Sequence, residues 1–131
     1  MYKILVVDDE PGIIKIFETF LIKNGFEVIK AAGGEEAIKV LNSDTKIDLM
    51  LLDMKMPKVP GIDVINEMVR INKRIPAIIL TGSIDAERYL IDLKASGYSR
   101  EDILYKPTDL FELLKLIKNK LSIAERLNFD G

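Results

Sequence analysis

Residues able to handle a phosphoryl group stand at the ends of four short apolar runs in this chain. Ile4–Val7 runs into Asp8 and Asp9, Leu49–Leu52 into Asp53, Ala77–Leu80 into Thr81, and Ile103–Tyr105 into Lys106 and Pro107. In an open parallel α/β sheet, ligands bind in the crevice outside the carboxyl ends of the strands. Three carboxylates, a hydroxyl and an ammonium group, distant in sequence, are therefore expected at one spot. Taken singly, each has a plain explanation. Asp8 or Asp9 could cap the helix that Pro11 begins, Asp53 could cap a turn, Thr81 could cap a helix, and Lys106 could be a solvated lysine. Their conjunction changes the reading. Carboxylates gathered in one crevice repel each other, which raises some of their pKa values unless a cation sits among them. Mg2+ is the economical cation, because it takes one or two carboxylates together with waters and phosphate oxygens. A carboxylate beside it can act as a nucleophile on phosphorus, and phosphoryl transfer asks a protein mainly for positioning and charge neutralisation.

The elements that must carry these residues follow from the hydrophobic pattern. Short apolar runs alternate with longer amphipathic stretches, the signature of βα units on a parallel sheet. Strands are expected near 3–7, 27–31, 48–53, 76–81 and 102–106, and helices near 11–24, 34–43, 62–72, 85–95 and 108–121. The second strand is shorter in apolar content and is placed at an edge. Pro11 pre-sets a first helical turn, while Asn24-Gly25 and Ser96-Gly97 close helices. Thr108 is read as an N-cap with Asp109 in the first turn behind it. Ile13, Ile16, Phe17, Phe20 and Leu21 recur at helical spacing and are assigned to the core. Leu110, Leu113, Leu114, Ile117 and Leu121 form an apolar stripe with Phe111 and Leu116 beside it, a surplus that could serve a partner.

Composition removes whole classes of chemistry. With 131 residues, 48% of them hydrophobic and none of them Trp, one domain with an Ile/Leu/Val core is the default. Cys and His are both absent, so a disulfide framework, a thiol nucleophile, a Ser-His-Asp triad and a histidine phosphocarrier are excluded. Net charge is −2 with no basic stripe, which argues against direct nucleic-acid binding by this domain. No apolar run reaches membrane-spanning length and no signal peptide is recognisable, so no membrane association and a cytoplasmic location are expected.

The motifs Val6-Val7-Asp8-Asp9-Glu10-Pro11, Leu52-Asp53-Met54-Lys55-Met56-Pro57 with Gly61, Thr81-Gly82 and Lys106-Pro107 resemble those of the receiver domains of bacterial-type two-component response regulators, of the chemotaxis-regulator kind. The resemblance covers residues 3 to about 121, and order and spacing together make it specific. It implies a flavodoxin-like, doubly wound α/β fold: a five-stranded parallel sheet of order 2-1-3-4-5 with five helices. It implies Asp53 as phosphoacceptor and Asp8 and Asp9 as the metal-binding acid pair for Mg2+, with Asp53 and the Lys55 backbone carbonyl completing the metal set. It further implies Thr81 and Lys106 as the phosphoryl-sensing pair and a cis Lys106-Pro107 peptide. The domain is expected over 1–121, with 122–131 a C-terminal tail or the start of a linker. Three departures stand out. Ile103 occupies the place, three before the lysine, where the family usually carries an aromatic; Tyr105, of the same strand parity, is the residue available to stand in. The connection from Gly97 to Lys106 is longer than usual, and Pro60 replaces a common acid.

The expected function is a phosphorylation-dependent switch, phosphorylated on Asp53 by a sensor histidine kinase or a histidine phosphotransfer protein. Its output would pass to an effector or a second copy through the last strand and last two helices. Such a protein modifies itself and turns over no separate substrate. Three rival readings fit the residues less well. An aspartyl-phosphate phosphatase of the haloacid-dehalogenase type places a second Asp two residues after its nucleophile, where this chain has Lys55. A flavodoxin-like cofactor carrier needs a phosphate cradle after the first strand, where Asp8-Asp9-Glu10 would repel phosphate. A degenerate receiver, serving only for docking, would lack signature residues that are all present here.

Overall fold

The computed structural model describes residues 1–130. Five strands, β1 (Lys3–Val7), β2 (Glu27–Ala31), β3 (Leu49–Asp53), β4 (Ala77–Thr81) and β5 (Ile103–Tyr105), alternate with helices α1 (Pro11–Lys23), α2 (Gly34–Leu41), α3 (Gly61–Arg70), α4 (Ser83–Ala95) and α5 (Leu110–Asp130). The strands form one sheet in the order β2-β1-β3-β4-β5, with every pair parallel. The expected order and the edge position of β2 both hold. Among the described residues, no helix is long and apolar enough to cross a membrane.

Strand alternation decides which helix lies where. Successive side chains point to opposite faces, so Ile4, Val6, Leu49, Leu51, Ile78 and Leu80 pack with α1 and α5 through Ile14, Phe17, Leu113 and Ile117. Leu5, Val7, Met50, Leu52 and Ile79 meet α2, α3 and α4 through Ala37, Leu41, Val64, Ile65, Met68 and Leu93. A sheet buried on both faces needs continuous apolar strands, and β1, β3 and β4 supply them. Burying each of these Leu or Ile side chains stabilises the fold by roughly 2 kcal/mol.

Several local expectations are corrected. On α1, Ile14, Phe17 and Leu21 face the sheet, while Ile16, assigned to the core, is exposed. The reason is geometric: the buried stripe runs 14-17-21, which places residue 16 on the opposite side of the helix. At the start of α5, Asp109 rather than Thr108 is the cap. Its Oδ1 accepts from the backbone N–H of Phe111 at 2.8 Å and of Glu112 at 3.2 Å, which a carboxylate one residue before the helix can reach. The last helix, expected to end near 121, runs on to Asp130. The long connection before β5 holds a short 3-10 turn over Arg100–Asp102. In it the Asp102 carboxylate accepts from the Ser99 N–H at 2.8 Å and also pairs with Lys120 of α5. Asp109→Ala is expected to lower stability by about 1 kcal/mol, the typical value of a cap, and Thr108→Ala to have little effect. Urea unfolding of both variants checks the assignment.

Candidate functional site

Asp53 and Thr81 end β3 and β4, Asp8 and Lys106 stand one residue beyond β1 and β5, and Asp9 stands two beyond β1. Further backbone bonds hold three of these strand ends. Beyond β1, the Asp8 N–H donates to Ala31 O at 3.2 Å. Beyond β3, the Met54 N–H donates to Leu80 O at 3.1 Å, and beyond β5 the Lys106 N–H donates to Thr81 O at 3.0 Å. The parallel ladder thus extends past the strand ends, and the functional side chains inherit the rigidity of the sheet.

The convergence read from the sequence is present. Carboxylate oxygens of Asp8, Asp9 and Asp53 all lie within 4.8 Å of one another. Asp8 and Asp53 are only 2% and 3% exposed, and Thr81 is 3% exposed. Lys106 reaches into the group from β5: its Nζ donates to Asp53 Oδ1 at 2.8 Å, and its side chain keeps 43% of its exposure. The same Asp53 oxygen accepts from the Lys55 N–H at 3.2 Å. Asp8 Oδ1 accepts from the Glu10 N–H at 2.9 Å, so of the two acids read as possible caps before Pro11, Asp8 bonds the backbone at the start of α1. The Thr81 hydroxyl makes only a long contact, 3.4 Å, to Gly82 O. Lys106-Pro107 is cis. Ile103 is buried, and Tyr105 is 42% exposed, turned out of the core that Ile103 enters.

Three acids against one ammonium leave the cluster short of positive charge. Burial pushes the Asp8 carboxyl from 3.8 up to about 6, opposed by the hydrogen bond from Glu10 and reinforced by the charge of Asp53. For Lys106, burial acts downward, yet the hydrogen bond and charge of Asp53, then the charges of Asp8 and Glu10, hold its pKa above the usual lysine value. All the ligand atoms on offer are hard oxygens, and two of the three acids are shielded from solvent. That donor set fits Mg2+, which binds through few carboxylates and keeps positions free for phosphate oxygens.

The linkage has a definite sign. In metal-free protein, folded Asp8 keeps its proton until about pH 6, whereas the unfolded chain releases it near 3.8. Its stabilising contribution is therefore complete below that lower value and is lost as pH rises through the upper one. A shift of about two units corresponds to roughly 3 kcal/mol. With chelator present, the stability advantage of Asp8→Asn over the wild type should grow by roughly 2 kcal/mol between pH 4 and pH 7. Urea unfolding at the two pH values measures it, and an unchanged difference contradicts the electrostatic account.

Comparison with known proteins gives a consistent picture. Residues 4–118 match the family described as the response regulator receiver domain. The response regulator SaeR of Staphylococcus aureus is 35% identical over 138 residues, an alignment covering 99% of this chain and 58% of SaeR. The chain thus spans little more than half the length of that relative. Among solved structures, a response regulator receiver domain protein from Clostridium thermocellum superposes with a TM-score of 0.85 at 31% identity, over 97% of this chain and 99% of the other. The chemotaxis protein CheY4 of Vibrio cholerae superposes with a TM-score of 0.76 at 29% identity, over 91% and 98% of the two chains.

Proposed function

This chain belongs to the response regulator receiver domain family, whose members act in phosphorylation-dependent two-component signalling, and we propose that Asp53 is its phosphoacceptor. The observation that carries this reading is the position of Asp53: it shares the cluster with Asp8 and Asp9 while Lys106 holds one of its oxygens at 2.8 Å. Asp8 and Asp9, with Asp53 and the Lys55 carbonyl, would hold Mg2+. Bound there, the ion would offset the negative charge shared by the acids and the incoming phosphoryl oxygens.

The chain's own residues supply the remaining roles. An Asp53 carboxylate oxygen attacks phosphorus as the phosphorus–nitrogen bond of a phosphohistidine breaks. The donor is a sensor histidine kinase or a histidine phosphotransfer protein, and the imidazole leaves with the bonding pair. Lys106, already on Asp53, follows the charge onto a phosphoryl oxygen, and its pKa above the ordinary value keeps it cationic. The Thr81 hydroxyl, weakly engaged at 3.4 Å, can turn toward the new group at little cost. The phosphoryl group carries about −2 near neutral pH where the carboxylate carried a single charge, and this net addition of about −1 then pulls on the ends of β4 and β5. Beyond those ends, Ile84 and Ile91 of α4, Phe111 of α5 and Tyr105 are exposed, which supports this face as the surface read by an effector or a second copy.

Given Mg2+ and acetyl phosphate, the protein should gain one alkali-labile phosphoryl group, and Asp53→Asn should abolish it. Undiminished labelling of the variant in intact-mass spectra contradicts the assignment. The exposed Lys55 follows Asp53 by two residues, at the mouth of the site. Its ammonium can pair with a phosphoryl oxygen and obstruct the attacking water, so Lys55→Ala should shorten the aspartyl-phosphate lifetime. The effect should be modest, because the charge is solvent-screened. Equal or slower loss of phosphate in the variant refutes the shielding.

A further inference from the structure

We propose that Gly34, in the first turn of α2 and outside the carboxylate cluster, is a positioning residue that braces the loop carrying Lys55. The inference rests on the reading of that loop as part of the cation site.

The segment from Met54 to Pro60 leaves β3 and must deliver the Lys55 backbone beside Asp53. It is held from several sides. The side chains of Met54 and Met56 are buried in the core beneath α2 and α3. The Gly61 N–H donates to Met54 O at 3.0 Å, closing the segment on itself. A β-carbon on Gly61 would stand 2.7 Å from both Asp53 O and Met54 Cα, so glycine is required there for space. Between these anchors the chain makes a three-residue turn, with the Val59 N–H donating to Pro57 O at 2.7 Å. At its centre Lys58 has φ 66, a left-handed conformation that a lysine adopts only when its surroundings impose it.

Gly34 provides the imposing contact. A β-carbon there would collide with Val59 O most closely, and would stand 2.6 Å from Val59 Cγ1 and 2.8 Å from Val59 Cβ. Gly34 does not need glycine for its backbone angles; it needs the missing side chain, because Val59 rests on its α-carbon. Nor can the helix give way easily. Ala37 and Leu41 fix α2 to the sheet, and Asn42 at its end donates to Glu67 of α3 at 2.7 Å. Added volume at position 34 should therefore push the loop rather than the helix. The displacement would travel through Val59 and the strained turn to Lys55, whose N–H bonds Asp53.

The test is Mg2+ binding to the full 131-residue chain, followed by amide NMR, with unfolding in chelator as a parallel readout. Gly34→Ala should weaken Mg2+ binding by roughly tenfold, the scale on which groups that orient a metal ligand act. It should also shift the Lys55 and Asp53 amide signals in the metal-free protein. Gly12→Ala, whose β-carbon would meet nothing within 4 Å, should change neither. If Gly34→Ala does not fold, Val59→Gly removes the side-chain half of the contact without crowding it and should weaken binding in the same direction. Wild-type Mg2+ affinity in folded Gly34→Ala, whatever its stability in chelator, overturns the proposal while leaving the phosphoryl-site reading intact. Absence of Mg2+ binding by the wild type overturns both.

Discussion

Mutual repulsion among three carboxylates at the edge of a buried sheet is the constraint around which the rest of this molecule is arranged. Asp8 and Asp53 are almost fully withdrawn from water, and Asp9 stands beside them. A fold tolerates such a group only if its backbone cannot relax away and if the charge is offset. The ladder bonds beyond β1, β3 and β5 meet the first condition. Lys106 meets the second for Asp53 by direct contact and for Asp8 only through space, and burial, reinforced by the charge of Asp53, leaves the Asp8 carboxyl raised to about 6. Three acids against one ammonium form a donor set that fits a divalent cation, the chemistry on which the proposed phosphoryl site rests.

The same arrangement ties the site to the surface. Thr81 ends β4 and Lys106 follows β5, so both lie within a few residues of α4 or α5. A pull on either is transmitted through backbone that is hydrogen-bonded from Lys106 N–H to Thr81 O. The 3-10 turn before β5 adds connections on that side: Arg100 donates to Glu87 of α4 at 2.7 Å, and Asp102 pairs with Lys120 of α5. Under the proposed phosphorylation of Asp53, the new charge would act on a few packed elements rather than on the whole domain, the general form of phosphorylation switches.

How much of this was legible in the sequence depends on the range of the interaction. The strands and the convergence of the residues at their ends were legible because period-two burial and strand-end chemistry are written in contiguous residues: Leu49–Leu52 running into Asp53 is read directly. The cap of α5 was misplaced by one residue, since Thr108 and Asp109 are both good cap residues and only geometry shows which one reaches the free amides. Ile16 was assigned to the core because an apolar residue at roughly helical spacing does not reveal how wide the buried stripe is. The contact of Gly34 with Val59 was illegible for a deeper reason. It joins segments 25 residues apart through the absence of a side chain, and glycine in a sequence gives no sign whether space or backbone freedom is what it supplies.

The most direct test of the central claim is a crystal structure of the protein with Mg2+ and fluoroberyllate, a mimic of the phosphoryl group. The account predicts beryllium bonded to an Asp53 carboxylate oxygen, the metal ligated by Asp8 or Asp9 together with Asp53 and the Lys55 carbonyl, and Lys106 and Thr81 turned onto the fluorides. Fluoroberyllate bound elsewhere, or a metal that leaves Asp8, Asp9 and Asp53 uncoordinated, would contradict it.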